Sequence, residues 1–287
     1  MSTPLPTVLP PLRRPPRTSP LPTVPGPGRS STIPQNSLQP KRGFSVRGEK
    51  VVIYGPACVG KSSLCASIID VGFKPFFIDV GDSTSHMNVS RVQPANLAET
   101  RSALHDDSLL APYGAVVLDD LTAGEEFGLT WVLRNIPHEK KLPIIGLEDY
   151  GWGKGYVHLF EASLLLLCDL DRIARMGKHV LVTAHDTIEL VKNPMGEDYF
   201  QHQPRLRSNK NAKFRERVLE WCYHMIFIDF DVAISKDGKP TGAGTRTIYP
   251  SPMPYHWAKS RTLVEPIAYP KGDSTFWQQL LGKESNA

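Results

Sequence analysis

KVVIYGPACVGKSS, Lys50–Ser63, is the stretch on which the reading of this chain turns. Its opening, Lys50–Tyr54, is a short apolar run of strand-forming residues, and the run into Ser62 fits G-x-x-x-x-G-K-[ST]. A strand before the glycines and a helical pattern after them is the context in which that spacing builds a phosphate cradle. Gly55 and Gly60 let the main chain wrap an anion without a Cβ in the way. The successive N–H groups of Pro56-Ala57-Cys58-Val59-Gly60-Lys61 and of Ser62 and Ser63, proline's excepted, then point inward. Lys61 places an ammonium between the β- and γ-phosphates, and the Ser62 hydroxyl is a ligand for Mg²⁺. For Cys58 the backbone, not the thiol, is what the loop needs.

Outward from this loop, apolar runs alternate with helical patterns. A helix is expected from the loop through about Asp70, then strands at Pro75–Val80 and Ala115–Asp119, with a helix over Leu97–Asp106 between them. A long helix over Tyr156–Met176 precedes a strand at His179–Thr183. Met225–Ala233 reads as a fifth strand, with a hairpin partner at Thr245–Tyr249. This alternation implies an α/β fold with a mostly parallel central sheet flanked by helices. Glu139–Lys154 and Val191–Asn211 read as long loops, of the kind that carry function.

Composition divides the chain. Twelve of its 26 prolines lie in the first forty of 287 residues, too many for helix or sheet ladders, because proline lacks the N–H. Residues 1–48 are therefore expected to be a disordered Pro/Arg-rich tail, 49–270 the folded domain and 271–287 a C-terminal tail. Seven cations and no acid precede Glu49, so the net charge of +4 conceals a folded part at −3. Any nucleic-acid footprint there must be local. PPLRRPP in the tail favours polyproline II and suits an aromatic groove.

No apolar run exceeds Leu164–Cys168, which excludes a membrane-spanning helix. No secretory signal is expected, and the proline load argues against an organellar transit peptide. Cys58, Cys65, Cys168 and Cys222 lack the spacing of a zinc site and suit reduced, cytoplasmic thiols.

A nucleotide site needs a second ligand for the metal. Val116-Val117-Leu118-Asp119 is an apolar strand ending in a carboxylate, the Walker B pattern, so Asp119 joins Ser62 as the expected Mg²⁺ site. Attack by water calls for a further carboxylate. Asp120 and Asp82 are the candidates, with Asp79 nearby. Thr183-Ala184-His185 closes a strand at the end that faces the ligand crevice in open sheets, so His185 is expected to meet the γ-phosphate or the water.

Taken in order, the P-loop, FIDV, VVLDD, VTAH and the late Ala258-Lys259-Ser260-Arg261 resemble the RecA-like P-loop ATPases over about Phe44–Ala268. Within them the chain resembles the phage-encoded Sak-type single-strand-annealing and AAA-family nucleotide-binding proteins. The resemblance implies Walker A and B strands separated by a sensor strand. It also implies ATP and Mg²⁺ as cofactors, ATP hydrolysis, and action on single-stranded DNA in recombination, annealing or replication. Assembly into a homo-oligomeric ring or filament, a single-strand-binding or recombination partner, and the bacterial host cytoplasm as location go with it. Lys259 and Arg261 match the K-x-R pair that reaches a neighbour's site in related rings. RecA-like proteins usually end the second strand with a catalytic glutamate; here FIDV is followed by Gly81, and Asp82 or Asp120 must substitute.

DNA contacts are expected from the basic run Arg205–Arg217, through Arg205, Arg207, Lys210 and Lys213, and from Trp152 and Lys154 in a glycine-rich loop. Tyr150, Tyr199, Phe200 and Phe214 are further stacking candidates. Two other readings share the P-loop. One is a nucleoside or small-molecule kinase with Arg205–Arg217 as its lid, and the other a nucleotide-switched adaptor with little turnover.

Overall fold

The computed structural model describes residues 47–140, 142–234, 237, 239–242 and 244–282. The expected tail 1–48 lies outside them except for Arg47 and Gly48. These two already belong to the domain: the Gly48 N–H donates to Ala174 O at 2.9 Å.

The strands are β1 (Lys50–Gly55), β2 (Pro75–Asp79), β3 (Ser90–Val92), β4 (Ala115–Asp119), β5 (His179–Val191), β6 (Tyr199–Pro204), β7 (His224–Phe230), β8 (Ala233–Ile234), β9 (Pro240–Thr241), β10 (Arg246–Tyr249) and β11 (Ile267–Ala268). The helices are α1 (Lys61–Ala66), α2 (Leu97–His105), α3 (Asp107–Leu110), α4 (Leu121–Asn135), α5 (Lys154–Arg175), α6 (Phe214–Trp221) and α7 (Thr275–Leu281). The main sheet runs β3-β2-β4-β5-β1-β7-β10-β11. It is parallel from β3 to β7 and antiparallel at β10 and β11. The α/β class expected from the sequence is the architecture found. β5 lies between the P-loop strand β1 and the Asp119 strand β4, as the resemblance implied.

Both faces of the sheet are covered, and the period of two along each strand divides the side chains between them. Val52, Tyr54, Val116, Leu118, Val180 and Val182 join a core under α2, α4, α5 and α6. Val51, Ile53, Ala115, Val117 and Leu181 join a second core under α1 and α7. α4 meets α5 through Gly124 and Gly128, where an added Cβ would lie 3.4 Å from Leu166 Cδ1 and 3.3 Å from Leu159 Cδ1.

Several expectations need correction. Helix α1 stops at Ala66 and continues as a 3-10 turn over Ser67–Val71. Val191–Asn211 is not all loop: β5 runs on past the sheet, and its outer half, Asp186–Val191, pairs antiparallel with β6. The loop Glu139–Lys154 contains a 3-10 turn at Leu147–Tyr150. Residues 271–282 are not a tail. α7 buries Phe276 and Trp277, the Trp277 indole N–H donates to Leu64 O at 2.6 Å, and Ser67 Oγ donates to Asp273 O at 3.1 Å. Apolar residues at adjacent positions supplied enough burial to fix this short helix against α1.

Candidate functional site

The C-terminal ends of β1 and β4 and the middle of β5, where it leaves the parallel sheet, open into one cavity of about 310 Å³. Each strand delivers a different chemical group. β1 ends at Gly55 with φ 156°, where a Cβ would fall 2.1 Å from Ile228 O of β7. Only glycine lets the chain turn there. Gly60, at φ 106°, precedes Lys61, and a Cβ on it would come 3.2 Å from the Tyr269 ring. Between them Cys58 also has positive φ, and its thiol is exposed.

Lys61 is buried, and its Nζ donates to Gly55 O (2.9 Å) and Pro56 O (2.8 Å). Burial lowers the ammonium below the usual lysine range, while the carboxylates of Asp120 and Asp119 pull it back up. Ser62 and Ser63 line the same cavity.

Asp119 is buried at the end of β4. It is held by hydroxyls: Thr183 Oγ1 donates to Oδ1, and Ser83 Oγ donates to Oδ2 at 2.8 Å. Asp120 caps α4, its Oδ1 accepting the Ala123 N–H at 2.7 Å. Its Oδ2 lies 3.4 Å from His185 Nε2. Burial alone would raise the Asp120 carboxyl. The His185 contact, the Ala123 N–H and the Lys61 charge outweigh it and hold the group below the usual aspartate range. His185 sits beside Gly55 in register, its backbone N–H donating to Thr122 Oγ1 at 3.1 Å.

The donors fit a hard divalent cation. Ser62 offers a hydroxyl and Asp119 a carboxylate in one cavity, both oxygen ligands of the kind Mg²⁺ takes alongside water and phosphate. Among the described residues no group of three His, Cys, Asp or Glu forms a self-sufficient metal site.

Other expected residues lie elsewhere. Asp82, exposed at φ 49°, bonds Gln93 Nε2 at 2.6 Å and is not among the cavity's lining residues. Asp79 is occupied by its own turn, accepting from Ser83 N, Thr84 N and Thr84 Oγ1. Of the three carboxylates weighed for the water, the fold brings only Asp120 to the cavity. Lys259 and Arg261, expected to act at a neighbour's site, are held by other groups of their own chain. The Lys259 ammonium donates to Leu219 O (2.8 Å) and Cys222 O (2.7 Å) at the end of α6, and Arg261 stacks 4.5 Å over Tyr223. They flank the start of β7, the sheet end opposite the P-loop. Conversely, Ser83, His86, Met87 and Lys271 line the cavity and were not expected. The first three follow β2, and the rule that strand C-termini face the crevice could have found them. No motif marks Lys271.

The basic run is divided. Arg205, Lys210 and Lys213 are exposed. Arg207 pairs with Glu125 (3.3 Å) and Glu126 (2.9 Å), and Arg215 with Glu189 (3.0 Å). Lys154 pairs with Glu139 at 2.6 Å, and Trp152 is 97% exposed. Phe200 is exposed and Tyr199 half-buried, but Phe214 and Tyr150 are buried and cannot stack on a base.

A family model described as an AAA domain (AAA_24) matches residues 47–262, three quarters of the chain. The chain belongs to the AAA domain family. As an AAA-type P-loop ATPase domain it carries its nucleotide motif where the cavity lies. No curated protein matches it. A crystal structure of a KaiC-like protein from the hyperthermophilic archaeon Pyrococcus horikoshii OT3 is similar at 12% identity and a TM-score of 0.42. That match covers 78% of this AAA domain chain and 90% of the archaeal one. No helix among the described residues is long and apolar enough to cross a membrane.

Proposed function

We propose that this AAA domain binds Mg·ATP in the cavity at the ends of β1 and β4 and beside His185 of β5 and hydrolyses it. The observation that carries the reading is the convergence of Lys61, Ser62, Asp119, Asp120 and His185 on one cavity, from segments far apart in sequence. Lys61 leaves the loop carbonyls for the β- and γ-phosphates. Gly55–Ser63 supply N–H groups, and Ser62 and Asp119 would hold Mg²⁺, which neutralises phosphate charge when bound. Asp120, ionised at neutral pH and fixed by Ala123 and His185, orients the attacking water. It replaces the strand-end glutamate that Gly81 omits, and this supports turnover over a silent switch.

Action on single-stranded DNA in phage-type recombination, annealing or replication, within a homo-oligomer, is the finer part of the proposal. It is supported by exposed Arg205, Lys210 and Lys213 near β5 and by exposed Trp152. Arg205 is tied to the nucleotide site through its N–H, which donates to His185 O at 2.8 Å. Lys259 and Arg261 are held by Leu219, Cys222 and Tyr223 of their own chain, and no role at a neighbour's phosphate is included in the proposal.

Calorimetry with Mg·ATP and phosphate release with and without single-stranded DNA test both parts. Wild type takes up nucleotide and releases phosphate without any added acceptor. Lys61→Ala abolishes turnover, and Asp120→Asn keeps binding but loses turnover by about 10²-fold or more. No Mg·ATP uptake by wild type would end the reading. Phosphate release only with an added acceptor would make the protein a kinase, and unchanged rates with DNA would remove the DNA part.

A further inference from the structure

The P-loop is in contact with a segment more than two hundred residues away. Tyr269 Oη donates to Gly60 O at 3.1 Å and accepts the Gly272 N–H at 3.2 Å. Beyond it, Asp273 O takes the Ser67 hydroxyl and Trp277 is buried with its indole N–H on Leu64 O. Three of these bonds join 269–277 to the loop, to α1 and to the 3-10 turn after it, and the fourth, from Gly272 to Tyr269, braces the segment itself. Lys271 sits in the middle of this anchored stretch. A Cβ built on Gly60 would lie 3.7 Å from Lys271 Cγ, so the lysine stem runs over the P-loop backbone, and Lys271 lines the cavity that holds Lys61. Among the described residues, no carboxylate is paired with the Lys271 ammonium.

We propose that Lys271 is the second cation of the nucleotide site, supplied in cis by the C-terminal segment, and that it binds the polyphosphate of the nucleotide. This rests on the nucleotide reading above and assigns a residue to it. The electrostatics favour it. Asp119 and Asp120 put two carboxylates into the cavity; Lys61 and a bound Mg²⁺ would offset them with one positive charge over, against the several negative charges that a nucleotide brings. The K-x-R pair that could have supplied the charge from a neighbour is committed to α6 and Tyr223. Lys271 reaches the site without a partner chain, while the buried Phe276 and Trp277 fix its backbone. A flexible lysine on such a base acts as a point charge for phosphate.

The test uses the full chain. Mg·ATP and Mg·ADP are titrated calorimetrically into wild type, Lys271→Ala and Lys271→Arg, with the unliganded thermal midpoint of each as a check on folding. Lys271 is exposed, so the midpoints should agree. Lys271→Ala should bind both nucleotides about tenfold more weakly, and Lys271→Arg should stay within about threefold of wild type. Phosphate release from an equimolar mixture of Lys61→Ala and Lys271→Ala at saturating protein should equal half that of Lys271→Ala alone, because a cis cation cannot be lent. Equal binding by Lys271→Ala and a wild type that does bind would overturn this proposal and leave the nucleotide site standing. Recovery of activity in the mixture would overturn the cis assignment. A wild type that takes up no nucleotide would overturn the underlying reading and this proposal with it.

Discussion

Gly81→Ala tests whether Asp120 occupies the space that a strand-end glutamate would need. A Cβ at position 81 would lie 2.9 Å from Asp120 Oδ2, and an ordinary contact begins near 3.4 Å, so about half an ångström must be found. The carboxylate cannot give it freely. Oδ1 is held by the Ala123 N–H at 2.7 Å and Oδ2 faces His185 at 3.4 Å. Loss of the cap costs about 1 kcal/mol. Loss of the partly exposed His185 contact adds about 0.5 kcal/mol. Alanine returns about 0.5 kcal/mol by restricting the unfolded chain. The net loss is about 1 kcal/mol, or about 2–4 °C in Tm for a domain of this size. Turnover should fall by about tenfold, because the carboxylate proposed to orient water is displaced, while the Kd for Mg·ATP is unchanged. A double-mutant cycle with Asp120→Ala decides the cause. In the Asp120→Ala background Gly81→Ala should be neutral or stabilising. The same loss in both backgrounds would show that Asp120 is not what position 81 makes room for.

Three further outcomes follow from placement. Lys259→Ala should lower stability by about 1–2 kcal/mol through the uncapped carbonyls of α6, leaving nucleotide affinity unchanged; chemical denaturation with parallel calorimetry checks both. Trp277→Ala should cost about 3–5 kcal/mol, because a fully buried indole and its bond to Leu64 O are lost together; a Tm within a degree of wild type would show that α7 does not brace α1. Glu125 carries a pH dependence. Burial pushes its carboxyl up to about 7, against the Arg207 charge and the Arg207 N–H that reaches both its oxygens. Its folded value lies above its unfolded one, so the stability it contributes is full below about pH 4 and is lost as the pH rises through 7. Between pH 5 and 8 the Tm of wild type should fall more than that of Glu125→Gln, and parallel profiles would refute the assignment.

Much of the fold was legible because the buried strands are nearly pure apolar runs with a glycine or aspartate at the end. β4 was read to the residue. What escaped were elements whose helical signal is weak in isolation. α4 contains Gly124 and Gly128, both poor helix formers, yet their missing side chains are what let it pack on α5. Its start was written in Asp120, which caps the helix and also reaches the cavity. β6 was hidden in a polar stretch, because its partner is the outer half of β5 and its pairing is carried by backbone rather than by an apolar face.

The site was legible in proportion to how strictly its chemistry constrains the local sequence. A loop that must wrap a phosphate fixes glycines, lysine and serine within eight positions, so Gly55–Ser62 could be read without a structure. A cation that only needs to arrive has no such constraint. Lys271 is placed by Tyr269 and Trp277, whose partners are Gly60 and Leu64, and nothing in 269–277 alone names those partners. The same asymmetry bears on the K-x-R pair. K-x-R puts two cations on one side of a strand, but which end of the sheet that strand occupies is a property of topology. Here the isolated bridge of Lys259 to Met225 sets the pair beside the first residues of β7, while the P-loop opens at the other end of β1. Position along the neighbouring strand, not spacing within the motif, decides which cation can meet the nucleotide of its own chain.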